Sequence, residues 1–410
     1  MIIDVNSPLA GQSLDRTNPS GSYTLGYVDH IFSVAQAFMG YPNTLGFFSG
    51  NEVINDVGTA ADNPPYIRAI QRDLKAYIAQ HASRTIPVGY SAADVRSVLE
   101  DQVTYLSCEI PNSGNDTSRS DFFGLNSYSW CGGDNFQTAG YDQLVTIFQN
   151  TTIPVFFSEY GCNQPSPRVF DEVQALYGPQ MTVMSGGLVY EFTQGSNNYG
   201  VVSVANNGSA TLLPDFVNLQ GQLNQLNVTL LQSGNSTAQS ANPPACASSL
   251  ISSSGFSNNF NIPSAPQGAA ALISNGVQSA QTGSIVSVTA TSVQIPCFGT
   301  GGALLNNLIL HAVNGPNVPN GANAATVSGS VPAMSATAAS SGSRSGSSGS
   351  AASTAASTST RSGSGAGAGS SSGSASAASA SATKTAGASA FGIGAGSVLL
   401  AGLGMAVLFL

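Results

Sequence analysis

Three stretches set the fold. Thr44-Leu-Gly-Phe-Phe-Ser-Gly-Asn-Glu52 is followed by Pro64-Pro-Tyr-Ile-Arg-Ala-Ile-Gln-Arg-Asp-Leu-Lys-Ala-Tyr-Ile78, and that by Ile86-Pro-Val-Gly-Tyr90. The first and third contain short, nearly continuous apolar runs, the pattern of strands covered on both faces. The middle stretch places Ile67, Ile70, Leu74, Tyr77 and Ile78 on one helical stripe. Prolines suit its first turn, where a backbone N–H has no helical partner to lose.

The same interval recurs along the chain. Further apolar runs lie at Ile2–Val5, Phe122–Tyr128, Ile153–Phe157 and Gly187–Phe192, with helical spacing at Asp94–Leu106, Tyr141–Phe148 and Val169–Tyr177. Strand, helix and strand in repetition predict a parallel α/β architecture. Polar and aromatic residues follow each run: Asp4, Asn51-Glu52, Tyr90-Ser91, Asn126–Tyr128, Glu159-Tyr160 and Tyr190-Glu191. In a (β/α)8 TIM barrel, chemistry sits at these C-terminal strand ends. A Rossmann sheet is the rival, but no Gly-rich phosphate turn follows any run. The expected fold is the barrel. Six strands are visible where eight are needed, so two strands are expected to precede Met1. Met1-Ile-Ile-Asp-Val also lacks the basic and apolar regions of a signal peptide, which agrees with that expectation.

Composition divides the remainder. Every Asp and Glu lies at or before Asp215. The barrel is assigned to residues 1–235, and 236–321 form an extension whose Ser284–Ile295 segment suggests either a packed strand or a small appended unit. Residues 322–390 are Ser, Ala, Gly and Thr with too little apolar side chain to offset ordering, so a disordered spacer is expected there. Residues 391–410 are an uncharged apolar tail behind a small-residue stretch around Ser376–Ser381, the arrangement of a glycosylphosphatidylinositol signal. An ordinary tail anchor is the alternative. Sequons at Asn115, Asn150, Asn207, Asn227 and Asn235 point the same way, to the secretory route, the outer face of the plasma membrane and the cell wall. Net charge is −9 with 11 Lys and Arg and no basic run, which excludes nucleic acid as a partner and suits a neutral polymer. The five cysteines have no metal-ligand spacing, and disulfides are expected for most of them.

Two carboxylates end apolar runs: Glu52 in Gly46-Phe-Phe-Ser-Gly-Asn-Glu52 and Glu159 in Val155-Phe-Phe-Ser-Glu-Tyr-Gly-Cys162. Such a group is costly to bury without partners or work to do. Glycoside cleavage needs two, and a separation of about 5–5.5 Å gives retention through a glycosyl-enzyme. Adjacent strand ends would allow that distance. Asp4 and Glu191 form a second acidic pair better suited to holding sugar hydroxyls.

These motifs, together with Phe122-Phe-Gly-Leu-Asn-Ser-Tyr-Ser-Trp-Cys131 and Gly186-Gly-Leu-Val-Tyr-Glu-Phe192, resemble the fungal β-1,3-glucanosyltransferases of glycoside hydrolase family 72. The resemblance runs in order from Met1 to about Asn227. It implies a (β/α)8 catalytic domain and a retaining enzyme that cleaves β-1,3-glucan internally and joins the new reducing end to another chain. By motif, Glu52 is similar to the general acid/base and Glu159 to the nucleophile. Asn51 is implied to bond the sugar 2-hydroxyl; Asp4, Tyr128 and Tyr190 to contact substrate; Tyr199 to stack a more distant sugar. The family pattern pairs Cys131 with Cys162 and Cys108 with Cys246, leaving Cys297 alone. No cysteine-rich carbohydrate-binding module follows the barrel, so the chain resembles the subfamily without it. The implied partners are β-1,3-glucan donor and acceptor chains, with no cofactor or metal, and the protein is expected to be a monomer. A β-1,3-glucan hydrolase and an inactive wall mannoprotein are the competing readings.

Overall fold

The computed structural model describes residues 1–227, 230–231, 242–278, 280–287 and 289–310. The low-complexity segment at 322–390 and the apolar segment at 391–410 lie outside the described residues. Six parallel strands, β1 (Ile2–Asp4), β2 (Gly46–Asn51), β3 (Val88–Ala93), β4 (Phe123–Asn126), β5 (Val155–Tyr160) and β6 (Gly187–Val189), pair strictly in chain order. Among the described residues β1 and β6 are the free edges, so the sheet is an open arc of barrel strands.

Neighbouring phenylalanines explain why the strands read as continuously apolar. The pleat sends adjacent side chains to opposite faces. Phe47, Phe123 and Phe157 enter the core between sheet and helices, whereas Phe48, Phe122 and Phe156 form a separate cluster flanked by Ile2 and Leu188. The centroids of those three rings lie 5.5–6.1 Å apart. Burying each ring contributes roughly 1.5–3 kcal/mol. Gly89 on β3 makes room for the cluster: a Cβ there would lie 2.4 Å from the Phe122 ring and 2.5 Å from the Phe122 carbonyl oxygen.

Helices α1 (Pro19–Ser22), α2 (Leu25–Phe38), α3 (Pro64–His81), α4 (Arg96–Ser107), α5 (Tyr141–Phe148) and α6 (Glu172–Leu176) fall between the strands. The stripe expected on α3 is buried, and Tyr77 stacks on Phe32 of α2 at 4.4 Å. The fully buried Arg68, also on α3, pairs with Asp116 at 2.5 Å and donates to the carbonyls of Tyr105 (2.6 Å) and Cys108 (3.2 Å). Every charge-bearing face of that guanidinium is thereby met, which a buried cation requires. α6 begins later than the Val169 expected from spacing, because Phe170 adopts φ 53°, a left-handed conformation that a right-handed helix cannot contain.

Beyond β6, β7 (Val202–Val204) and β8 (Ala210–Leu212) form an antiparallel pair, followed by α7 (Pro214–Leu223). A disulfide joins Cys108 to Cys246, and α8 (Ala269–Asn275) packs over α2 and α3, with the Val277 N–H donating to the Tyr77 hydroxyl at 3.2 Å. The described part of Ser284–Ile295 forms no strand: Ile285 and Val286 are 71% and 75% exposed. Only its end packs: Val293 and Ile295 lie partly buried against the core, and Ser292 makes an isolated antiparallel bridge to Ile309. Instead β9 (Cys297–Phe298), only two residues long, adds in parallel to β8, and Cys297 is buried and free.

Candidate active site

The chain enters the site through a distortion. Pairing between β2 and β3 slips between Phe48 and Asn51, and Glu52 then turns to φ 51°, where a residue with a Cβ costs on the order of 1–2 kcal/mol. Its N–H donates to the Ser91 carbonyl at 2.9 Å, which holds that turn in place. Glu159 lies on β5, past a similar slip between Gly124 and Asn126 on its neighbour β4.

Glu52 follows β2 and Glu159 lies on β5, so β3 and β4 stand between the two carboxylates, as the order of apolar runs implies. Asn126 lies between them. Asn126 at the end of β4 donates from Nδ2 to Glu52 Oε1 at 2.9 Å and to Asn51 Oδ1 at 3.0 Å. Along the sheet Asn126 is the register partner of Glu159. Its own Oδ1 accepts from Ser91 Oγ (3.0 Å) and Ser158 Oγ (2.7 Å), so the amide is locked in one orientation. Burial pushes the Glu159 carboxyl above the usual carboxylate range, and the facing Glu52 charge adds to that. The Tyr128 hydroxyl, donating to Glu159 Oε2 at 2.6 Å, and Asn126 work in the opposite direction.

Tyr128, Tyr190 and Tyr199 converge beside Glu159. Tyr199 lies 5.5 Å from each of the other two rings, and Tyr128 and Tyr190 are 6.3 Å apart, all edge to face. Such a half-buried aromatic group offers C–H and hydroxyl contacts together. The loop bearing the last two is clamped by Arg168, 1% exposed. This guanidinium pairs with Asp215 at 2.6 Å, donates to the Tyr190 carbonyl at 2.6 Å and also to the Tyr199 carbonyl. A disulfide between Cys131 and Cys162 ties the loop after β4 to the loop after β5, close to Tyr128 and Glu159.

On the other side of Glu52 is a cavity of about 820 Å³ whose lining includes Asp4, Asn6 and Asn51. Asp4 is exposed and oriented by Asn6, whose backbone and side-chain N–H groups both donate to Oδ1, at 3.0 and 2.7 Å. Glu191 does not join Asp4; it lies beside Tyr190, with Oε1 buried and without a donor. Among the described residues no group of three or more His, Cys, Asp or Glu is placed to hold a metal. Sequence reading named Glu52, Glu159, Asn51 and the tyrosines but not Asn126 or Arg168 as site residues. Asn126 at least carried the signal of a polar residue ending an apolar run; Arg168 carried none.

The profile of the glucanosyltransferase family, glycoside hydrolase family 72, matches residues 1–227. The 1,3-beta-glucanosyltransferase gel2 of Aspergillus fumigatus is 49% identical over 311 residues, which cover 76% of this chain and 64% of that protein. The probable 1,3-beta-glucanosyltransferase GAS3 of Saccharomyces cerevisiae is 49% identical over 296 residues, 70% of this chain and 56% of that one. Saccharomyces cerevisiae Gas2p in complex with laminaripentaose superposes with a TM-score of 0.54 at 34% identity, over 66% of this chain and 58% of that structure. The chain thus spans between about half and two thirds of the length of these relatives.

Proposed function

The chain belongs to the glucanosyltransferase family of glycoside hydrolases, and on that premise we propose that it is a retaining transglycosylase that cuts β-1,3-glucan internally and rejoins the new reducing end to a second chain. The observation that carries this reading is Asn126, which pairs in register with Glu159 and donates its amide to Glu52. The two carboxyl groups thus flank one residue, close enough for the Glu52 charge to act on Glu159, as the roughly 5–5.5 Å spacing of a retaining pair requires.

Glu159 is the nucleophile. The hydroxyl of Tyr128 favours its ionised form and aims Oε2, leaving Oε1 to attack the anomeric carbon. Glu52 is the general acid: its proton passes to the glycosidic oxygen as the C1–O bond breaks and the glycosyl ester to Glu159 forms. An acceptor hydroxyl then attacks C1, its proton returns to Glu52, and Glu159 leaves as carboxylate. Asn51 takes the 2-hydroxyl of the reacting sugar, with Asp4, Tyr128 and Tyr190 holding the donor and Tyr199 a more distant unit. Water as acceptor turns the same sequence into hydrolysis. Incubation with a single β-1,3-glucan oligomer tests the choice: products longer than the substrate support transfer, and only shorter products refute it.

The apolar segment 391–410 and the five sequons support attachment to the outer face of the plasma membrane through a glycosylphosphatidylinositol anchor. Release of the cell-associated protein by a phosphatidylinositol-specific phospholipase is the expected result; retention after such treatment refutes the anchor.

A further inference from the structure

The cavity beside Glu52 does not end at the carboxylates. It follows the loop after β1 past Leu9, Gly11 and Asp15 to Asn18, and Asn18 also borders a second cavity of about 750 Å³. Either volume is within the range of small-molecule sites, about 300–1,000 Å³. The far wall of the second cavity is drawn from residues 254–263, beyond the last residue matched by the family profile, 227.

That wall is firmly built. The N–H groups of Ser252 and Ser253 donate to the Asp101 carboxylate at 2.8 and 2.7 Å, and Ser257 N–H donates to the Ala60 carbonyl at 2.9 Å. Phe260 stacks on Tyr105 at 4.6 Å, and the Tyr105 hydroxyl donates to the Asn259 carbonyl at 2.5 Å. Arg72 of α3 closes the end through the Pro263 carbonyl at 2.7 Å. The segment therefore holds its outward face in one conformation before any ligand arrives, which lowers the cost of binding.

What it presents is specific in chemistry. Asn258 and Asn261 are exposed, and they share the cavity with the Ser20 hydroxyl and the half-buried Tyr66 ring. Asp62 is the one charged residue among those lining it. An anionic ligand finds no counter-ion there, and an apolar ligand would desolvate the amides without replacing their hydrogen bonds. A pyranose meets both demands, with hydroxyls for the amides and a C–H face for the ring.

We infer that this second cavity is a distal subsite for further units of the same β-glucan chain, which makes the enzyme sensitive to polymer length. The inference rests on the glucan-active reading of Glu52 and Glu159. It is tested on the whole chain carrying Glu159→Gln, which binds without turnover, by calorimetric titration with β-1,3-glucan oligomers of increasing length. Affinity is expected to rise with length until an oligomer reaches both cavities. Adding Asn258→Ala and Asn261→Ala, at exposed positions, is expected to remove about ten- to thirtyfold of that gain while leaving short oligomers unaffected. A gain with length that survives both substitutions overturns the distal subsite alone. Failure of short oligomers to bind overturns the glucan reading, and the subsite with it.

Discussion

Replacing Tyr128 with Phe removes one oxygen and isolates the contribution of its hydroxyl to Glu159. The ring contacts with Tyr190 and Tyr199 are retained, and only the 2.6 Å donation to Glu159 Oε2 is lost. Burial already raises the Glu159 carboxyl, and Tyr128 is the largest influence opposing that rise. A hydrogen bond to a charged group is worth about 1.5–3 kcal/mol, roughly ten- to hundredfold in an equilibrium constant. Its removal therefore raises the Glu159 carboxyl further. The nucleophile must be ionised, so the acid limb of the kcat/KM profile should move to higher pH, with roughly ten- to hundredfold of rate lost well below it. Activity falls most at low pH and recovers towards the alkaline side. Initial rates on a β-1,3-glucan oligomer across the pH range measure this. Tyr199→Phe is the control: no hydroxyl bond from Tyr199 reaches Glu159 among the described contacts, so its acid limb stays in place. If Tyr128→Phe lowers the rate equally at every pH, or leaves the profile unchanged, the assignment of Tyr128 as the group holding Glu159 ionised is wrong.

Asn126→Ala should lower kcat on the order of a hundredfold, the usual cost of one preorganised donor at a reacting centre; urea unfolding should also show a loss of about 1–3 kcal/mol, because Ser91 and Ser158 lose their shared acceptor. Gly89→Ala drives a methyl group into the Phe122 ring and backbone, so the urea midpoint should fall by an amount matching about 1–3 kcal/mol. Arg168→Met leaves Asp215 without its cation and the carbonyls of Tyr190 and Tyr199 without their donor; KM for glucan should rise, and a KM unchanged in a folded variant would contradict the clamp. Glu172, buried in the first turn of α6, is pushed up to about 7 chiefly by burial. The unfolded chain ionises this group at lower pH than the folded one, so stability falls between the unfolded value and about 7. Glu172→Gln should therefore gain thermal stability over the parent above pH 7 and lose that advantage near pH 4, as followed by melting temperature.

The order of strands was readable because burial on both faces leaves an unbroken apolar run, and six such runs stand in six separate stretches of sequence. Glu52 and Glu159 were readable for the complementary reason, each being an acid at the end of such a run. Asn126 was not, since the partner that explains it, Glu52, lies 74 positions away. Arg168 likewise draws its meaning from Asp215, 47 positions on. The C-terminal region misled in a different way. Ser284–Ile295 has strand alternation, but Ile285 and Val286 stay exposed and only Val293 and Ile295 reach the core, while Cys297–Phe298 is too short to show any periodicity although it completes a sheet.

What the sequence determined by itself was therefore local: which segments are strands and helices, their succession, and the two glutamates that end strand runs. Those properties depend on side-chain polarity at short, regular spacing. That Glu52 and Glu159 face one another across two intervening strands, with Asn126 between them, was decided only by tertiary structure. It depends on sheet curvature and on hydrogen bonds between residues far apart in the chain, and no pattern along the sequence encodes either.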